Sequence, residues 1–306
     1  MRSSPTGHIS VAVHFPFTLV IRHTRPVFSA LDIARSYSLD RKADMFITTE
    51  TPDAAAPNRL FDLDGPLNFR DLGGYPVGRD RFVRTGLLFR SDGLDTLTPG
   101  DAQLLMDVFE LSTVVDLRSE EELKRTGPSL LEQGGVAVHH LPIVDRTQQF
   151  FGDGEPRITA AYLRIIADAE ERFAAAVQLL ADLDGPAVFH CAAGKDRTGL
   201  LAAFVLDLLG VDDDLIADDY ALTAAIMPAF RQRIERRMAN EPELRKRMEE
   251  SGRTPEVLDE MLSARPSTIH LVLTKLRAEY GSVESWLLQN GLGTSAPEKL
   301  RNRLIG

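Results

Sequence analysis

The chain has 306 residues, 43% of them hydrophobic, and a net charge of −10. That is enough apolar material for a substantial core in one large or two ordinary domains. The acidic balance excludes a general nucleic-acid binder, whose affinity comes from neutralising backbone phosphates, but it leaves room for a local basic pocket. The one cysteine, Cys191, has no partner for an internal disulfide, so the fold does not depend on an oxidising compartment. No apolar run reaches the length of a membrane span.

Residues 1–57 read as a weakly ordered arm. They carry scattered Ser, Thr and Pro without a sustained period, and close on the linker-like Thr51-Pro-Asp-Ala-Ala-Ala-Pro57. Ile9 to Ile21 is apolar, but His14 and Pro16 interrupt it, one Arg precedes it and no small-residue cleavage site follows, which makes it a poor signal peptide. The expected location is cytoplasmic, with export by a non-classical route as the alternative. Met45 is a candidate start, because a compact domain, residues 58–306, begins soon after it.

The domain opens with Leu67-Asn-Phe-Arg-Asp-Leu-Gly-Gly-Tyr75, where Gly73-Gly74 signals a turn. Short strands are expected around Phe82–Arg84 and Leu87–Arg90. Thr98-Pro-Gly-Asp101 starts a helix, with Thr98 as cap and Pro99 in the first turn. Val114-Val115 begins a buried strand ending at Asp116-Leu-Arg118, and Ser119-x-x-Glu122 is a capping box for the next helix. Val136–Ile143 is a further strand leading into Val144-Asp145-Arg146. A glycine-rich loop follows, Phe151-Gly-Asp-Gly-Glu155, and then one long Ala-rich helix from about Ile158 to Leu183. Strands alternating with helices imply an α/β fold, with a mainly parallel central sheet flanked by helices.

Pro186-Ala-Val-Phe-His-Cys-Ala-Ala-Gly-Lys-Asp-Arg-Thr-Gly199 organises the rest. It reads as a buried strand from Ala187 to His190, a tight loop, and a helix starting near Arg197 and stopping at Gly210. A loop folding back at a helix N-terminus aims successive N–H groups at one centre and adds the positive end of the helix dipole, which makes an anion cradle. Gly194 permits the backbone to turn there. Arg197 brings a planar fork matched to two phosphate oxygens. Cys191 at such a mouth is favoured as a thiolate, and a thiolate beside a bound phosphorus can attack it. The loop amides from Ala192 through Ala193, Gly194 and Lys195 to Arg197 would hold the equatorial oxygens. His190 either orients the loop and supports the thiolate or is a satisfied strand-end histidine. Thr198 either donates its hydroxyl to the sulfur or is a plain first-turn residue.

In a phosphomonoester the leaving oxygen needs a proton. The candidate donors are Asp92, Asp95, Asp116, Asp145 and Asp196. Asp116 suits an ion pair with the nearby Arg, and Asp92 and Asp95 suit local hydrogen bonds in a turn. Asp196 lies in the cradle itself. Beyond Gly210 the chain is nearly all helical. Val211-Asp-Asp-Asp214 is an acidic helix start. Residues 228–265 are dense in Arg, Glu and Met, with Pro228, Pro242, Pro255 and Pro266 as breaks. Leu271–Tyr280 and Val283–Leu288 are packed helices.

His190-Cys-x-x-Gly-Lys-x-Arg-Thr-Gly199, Asn68-Phe-Arg-Asp71, Asp116-Leu-Arg118, Tyr280-Gly-Ser282 and Gly291-Leu-Gly293 together resemble the bacterial tyrosine/lipid phosphatase family of the cysteine-dependent protein tyrosine phosphatase superfamily. The resemblance runs from about Leu63 to the end and is weakest over 228–265. It implies a tyrosine-phosphatase-like fold and metal-independent hydrolysis through a cysteinyl-phosphate. No cofactor or metal is expected, and phosphotyrosine proteins, extending to dual specificity and phosphoinositides, are the implied substrates. It places Asp145 where this superfamily carries a mobile acid loop, which makes it the favoured donor ahead of Asp196. It likens Lys195 to the rim cation of phosphoinositide phosphatases and residues 228–265 to a helical lid. Two rivals are a phospho-ligand module without turnover and rhodanese-like or arsenate chemistry on a similar loop. The presence of both Cys191 and Arg197 counts against the first, and Arg197-Thr198 before a long helix against the second.

Overall fold

The protein is described from a computed structural model that covers residues 60–143, 157–242, 246 and 262–306. The proposed arm of residues 1–57, the acid-loop candidate Asp145 and most of the segment 243–261 lie outside the described residues.

The strands are short. In chain order they are β1 (Arg70–Asp71), β2 (Pro76–Val77), β3 (Arg81–Phe82), β4 (Leu88–Ser91), β5 (Thr113–Asp116), β6 (Ala137–His140) and β7 (Ala187–His190). β2 and β3 form a separate ribbon, and the central sheet runs β1-β4-β7-β5-β6. Every pairing in it is parallel except β1 on β4, as alternating strands and helices require. Successive side chains point to opposite faces. Leu88, Val115, Ala187 and Phe189 therefore join one core, while Phe89, Val114 and Val188 join the other. Both faces are covered, so these strands read as continuous apolar runs.

The register decides where the chemistry falls. Ser91, His190, Asp116 and His140 are paired in one row across β4, β7, β5 and β6. All four strands thus end level at the carboxyl edge, and the residues that follow them, Asp92, Cys191, Leu117 and Leu141, leave the sheet side by side. Ligands of open parallel sheets bind at this edge.

Local signals set the helices. Thr98 and Asp101 make reciprocal caps for α1 (Pro99–Asp107), and Ser119 and Glu122 do so for α2 (Glu120–Thr126). The one-turn α3 (Leu130–Gln133) was not expected. The long helix expected over 158–183 is instead two, α4 (Arg157–Asp168) and α5 (Glu170–Asp182), broken at Ala169 with φ −140°. No Gly or Pro marks that break. The two halves pack on different partners, α4 mainly on the helix over Pro266–Tyr280 and α5 mainly on that over Ala296–Leu304.

α6 (Asp196–Leu209) is buried almost all round and ends at Gly210, whose φ of +83° suits a residue without a side chain. α7 (Asp213–Ala221) starts at its Asp212 cap. α8 (Thr223–Asn240) contains Pro228 instead of breaking there. The φ of proline suits a helix, and the cost is one forgone bond to the preceding turn. Pro266 likewise does not break a helix but opens α9 (Pro266–Tyr280) in the first-turn position, where its missing N–H is no loss. α10 (Val283–Gln289) and an unexpected α11 (Ala296–Leu304) complete the chain. Phe173, Phe204 and Trp286 from α5, α6 and α10 meet edge-on, with Phe204 5.2 Å from Phe173 and 4.9 Å from Trp286 between ring centres. This contact ties the C-terminal helices to the helix that carries the anion loop. Among the described residues no helix is long and apolar enough to cross a membrane.

Candidate active site

β7 delivers His190 and Cys191 between β4 and β5, and the loop 191–195 turns back into α6. Gly194 adopts φ +65°, and a Cβ on it would lie 2.6 Å from the Ser91 carbonyl oxygen and 2.7 Å from the Asp92 nitrogen. The loop therefore rests directly on the end of β4. Its carbonyls are held from outside. His190 Nδ1 lies 3.2 Å from the Cys191 oxygen, and the Gly93 N–H donates to Ala192 at 3.1 Å. Asn68 Nδ2 donates to the Ala193 and Gly194 oxygens at 3.2 and 3.1 Å, and Arg90 Nη2 donates to Gly194 at 2.7 Å. In a planar trans peptide the C=O and the next N–H point opposite ways. Each of the four carbonyls thus has a partner outside the loop, and the N–H groups of Ala192, Ala193, Gly194 and Lys195 point the opposite way from those partners.

Arg197 is buried on the first turn of α6. Glu122 grips it end-on, accepting from Nη1 at 2.7 Å and Nη2 at 2.8 Å, while Nη1 also reaches the Leu117 and Ile143 carbonyls. Burial alone would push the Glu122 carboxyl up. The hydrogen bonds and charge of Arg197, with those of Ser119, outweigh it and hold the group at about 2. Glu122, read from the sequence only as half of a capping box, is thus also the anchor of the guanidinium. Its hydrogen bond to the Ser119 N–H, 2.7 Å, fixes the carboxylate on both sides.

His190 is fully buried, and desolvation lowers its pKa against the pull of Asp116. Its Nδ1 is placed to hold the Cys191 carbonyl. Asp116 is the ion-pair partner expected of it. It takes Arg118 Nη2 at 2.7 Å and Nε at 3.0 Å, and Asp95 takes Arg118 Nη1 at 2.8 Å. Lys195 departs from expectation. It is only 2% exposed instead of sitting at a solvated rim. Its Nζ lies 3.1 Å from Asp196 Oδ1 and donates to the Ser263 carbonyl at 3.2 Å. Asp196 Oδ1 also accepts from the Tyr162 hydroxyl at 2.6 Å, and Tyr162 meets Tyr220 at 2.7 Å. Asp196 thus accepts from Tyr162 and pairs with Lys195. Thr198 Oγ1 is buried with no partner among the described residues, so a hydrogen bond to sulfur is not formed here. Cys191 itself is 1% exposed, Ala193 is half-buried and Ala192 is exposed.

Below the loop lies a charge cluster that sequence reasoning missed. Asp219 on α7 accepts from Arg70 Nε at 3.2 Å, from the Tyr75 hydroxyl at 3.2 Å and from Arg90 Nη1. Burial and the neighbouring Arg70 lower Arg90 to about 10, against the opposing pull of Asp219. Two arginines thus share one carboxylate beneath the loop. The Asn-Phe-Arg-Asp run was the signal for half of this cluster, but nothing local marked Arg90 or Asp219.

A profile of the tyrosine phosphatase family matches residues 61–306. The triple specificity protein phosphatase PtpB of Mycobacterium tuberculosis is 28% identical over 286 residues, spanning 80% of this chain and 99% of that protein. A putative tyrosine-protein phosphatase of Cupriavidus necator is 28% identical over 255 residues, with 79% and 88% covered. A tyrosine-protein phosphatase of Nostoc commune is 26% identical over 236 residues, with 74% and 75% covered.

The Glu122–Arg197 pair has a pH signature. The folded carboxyl sits at about 2 against an ordinary 4.5, so its stabilisation is present above pH 4.5 and is lost as pH falls toward 2. The shift corresponds to about 3 kcal/mol. In Glu122→Gln, urea unfolding at pH 7 should show a loss of that order, and the gap to wild type should narrow at pH 3. A gap that does not change with pH would contradict the assignment.

Proposed function

The chain belongs to the tyrosine phosphatase family, and from that membership we propose a two-step hydrolysis of phosphomonoesters through a cysteinyl-phosphate on Cys191. The observation that carries this reading is the set of outward-held carbonyls at residues 191–194 around a buried thiol, beside the anchored Arg197.

In the first step the Cys191 thiolate donates an electron pair to phosphorus. The S–P bond forms, the ester P–O bond breaks, and the leaving oxygen takes a proton from a general acid. The inward N–H groups of residues 192–195 and the Arg197 guanidinium take the equatorial oxygens, whose negative charge they meet without reorganising. In the second step water attacks phosphorus, the S–P bond breaks, and orthophosphate and the thiolate are released. The acid returns to its protonated form with the proton from water.

Asp145 is our choice for the acid. It follows β6, whose carboxyl end stands level with that of β7, and Asp196 is already an acceptor for Tyr162 and Lys195. The substrates are phosphotyrosine proteins, with phosphoserine, phosphothreonine and phosphoinositides as the extension. The likeness to a relative named triple specificity supports that breadth. Lys195 supports the lipid arm, since an extra phosphate approaching the loop would draw the ammonium from the Ser263 carbonyl.

Three measurements test the reading. Hydrolysis of p-nitrophenyl phosphate should persist in EDTA and vanish in Cys191→Ser; full activity in that variant would overturn the nucleophile. Asp145→Asn should collapse turnover of an alkyl phosphate while sparing the activated aryl ester, and equal losses on both would reassign the acid. Lys195→Ala should cost phosphoinositide hydrolysis more than phosphotyrosine peptide hydrolysis, and an even loss would leave Lys195 as a structural anchor.

A further inference from the structure

Asp92 was expected to serve a local turn. It is instead fully buried, and its hydrogen bonds run to distant segments. Oδ1 accepts the backbone N–H groups of Leu67 at 2.9 Å and Asn68 at 3.0 Å. Oδ2 faces Arg233 Nη1 of α8 at 3.3 Å, and the other fork of Arg233 donates to the Gly65 carbonyl at 2.5 Å. The main chain of Asn68 is thus fixed by Asp92. Its side-chain oxygen is fixed by Arg70 Nη1, and its Nδ2 holds the Ala193 and Gly194 carbonyls of the anion loop. A continuous path runs from α8 through Arg233, Asp92 and Asn68 to the two carbonyls whose outward direction aims the Gly194 and Lys195 N–H groups.

This arrangement is costly, which argues that it has a use. Burial pushes the Asp92 carboxyl up to about 6, although the backbone N–H groups and Arg233 pull it back. Arg233 is the charged side chain facing it, and the remaining donors are main-chain groups and the Ser91 hydroxyl. A neutral side chain here would avoid the desolvation. Only a carboxylate offers one oxygen for both N–H groups and a second for a guanidinium.

We propose that Asp92 is a positioning residue of the phosphate loop, acting through Asn68, and that Arg233 makes the docking of α8 felt at that loop. The proposal rests on the phosphatase reading of the site but assigns Asp92 no contact with substrate. Losing an acceptor that takes two main-chain N–H groups lets segment 67–68 shift, and the Asn68 amide then releases the loop carbonyls. Losing only Arg233 leaves that acceptor in place and weakens it.

The test is orthovanadate binding by titration calorimetry, which needs no turnover, alongside the unfolding free energy of each variant. Asp92→Ala should weaken vanadate by about tenfold or more, the scale of a lost charge-assisted hydrogen bond. Asp92→Asn keeps one carbonyl oxygen for the two N–H groups and should recover most of that affinity. Arg233→Ala should weaken vanadate about threefold, and should have a smaller effect when Asp92 is already Asn, where only its hold on the Gly65 carbonyl is lost. The idea fails if Asp92→Ala binds as wild type does. It fails equally if Asn rescues nothing, or if Arg233→Ala acts alike in both backgrounds. If Asp92→Ala does not fold, the Arg233→Ala and Asp92→Asn cycle decides alone. A wild-type protein that binds no vanadate would bring down the phosphatase reading as well, whereas strong binding untouched by these variants would remove only the role of Asp92.

Discussion

Four peptide carbonyls in succession, Cys191 to Gly194, are pulled away from the centre of their own loop by His190, Gly93, Asn68 and Arg90. The rest of the structure depends on that constraint. A short loop left to itself would satisfy its carbonyls with water and scatter its amides. Here the oxygen end of each of these peptide planes is held by a partner, which fixes the direction of the following N–H. The donors come from the segment after residue 67, the end of β4, the turn after it and β7, so the anion cradle exists only in the assembled fold. Preorganisation of this kind contributes most where a transition state spreads charge over several oxygens.

The second feature is how the buried charges are distributed. Arg197 has Glu122, Arg118 has Asp116 and Asp95, and Lys195 has Asp196. Arg70 and Arg90 share a single Asp219. Against well-packed apolar groups such buried ion pairs gain little, because desolvation offsets their attraction, but removing one partner strands the other and is costly. Their use here is geometric. Three of these arginines also donate to main-chain oxygens, Arg90 to Gly194, Arg70 to Asp219 and Arg197 to Leu117 and Ile143. Two guanidinium groups thus face one carboxylate beneath the loop. The net charge of −10 over the whole chain therefore says nothing against an anionic substrate, because the relevant field is local.

Some elements could be read directly because their determinants are close in sequence. Thr98 with Asp101, Ser119 with Glu122, and Gly210 after an apolar helix are all satisfied within one turn, and they appear as read. The misreadings share a cause. Ala169 breaks a helix with no breaker residue, Pro228 fails to break one, and Lys195 is buried under a carbonyl from residue 263. In each case packing against a remote element overrode local preference. Glu122 shows both levels at once. Its cap to Ser119 was visible three residues away, whereas its grip on Arg197 joins positions 75 apart.

The sequence by itself determined the strand, the loop from Cys191 to Lys195, the helix that follows and the alternation that makes a parallel sheet, because each is encoded within a few residues by turn chemistry, capping and apolar period. Only the tertiary structure decided which groups hold that loop open. Asn68 and Arg90 reach it directly, while Asp92 and Asp219 stand behind those two and Glu122 behind Arg197, all from parts of the chain far from it. Their partners follow from the level row of strand ends at Ser91, His190, Asp116 and His140, and a register is a property of the whole sheet that no single stretch of residues carries.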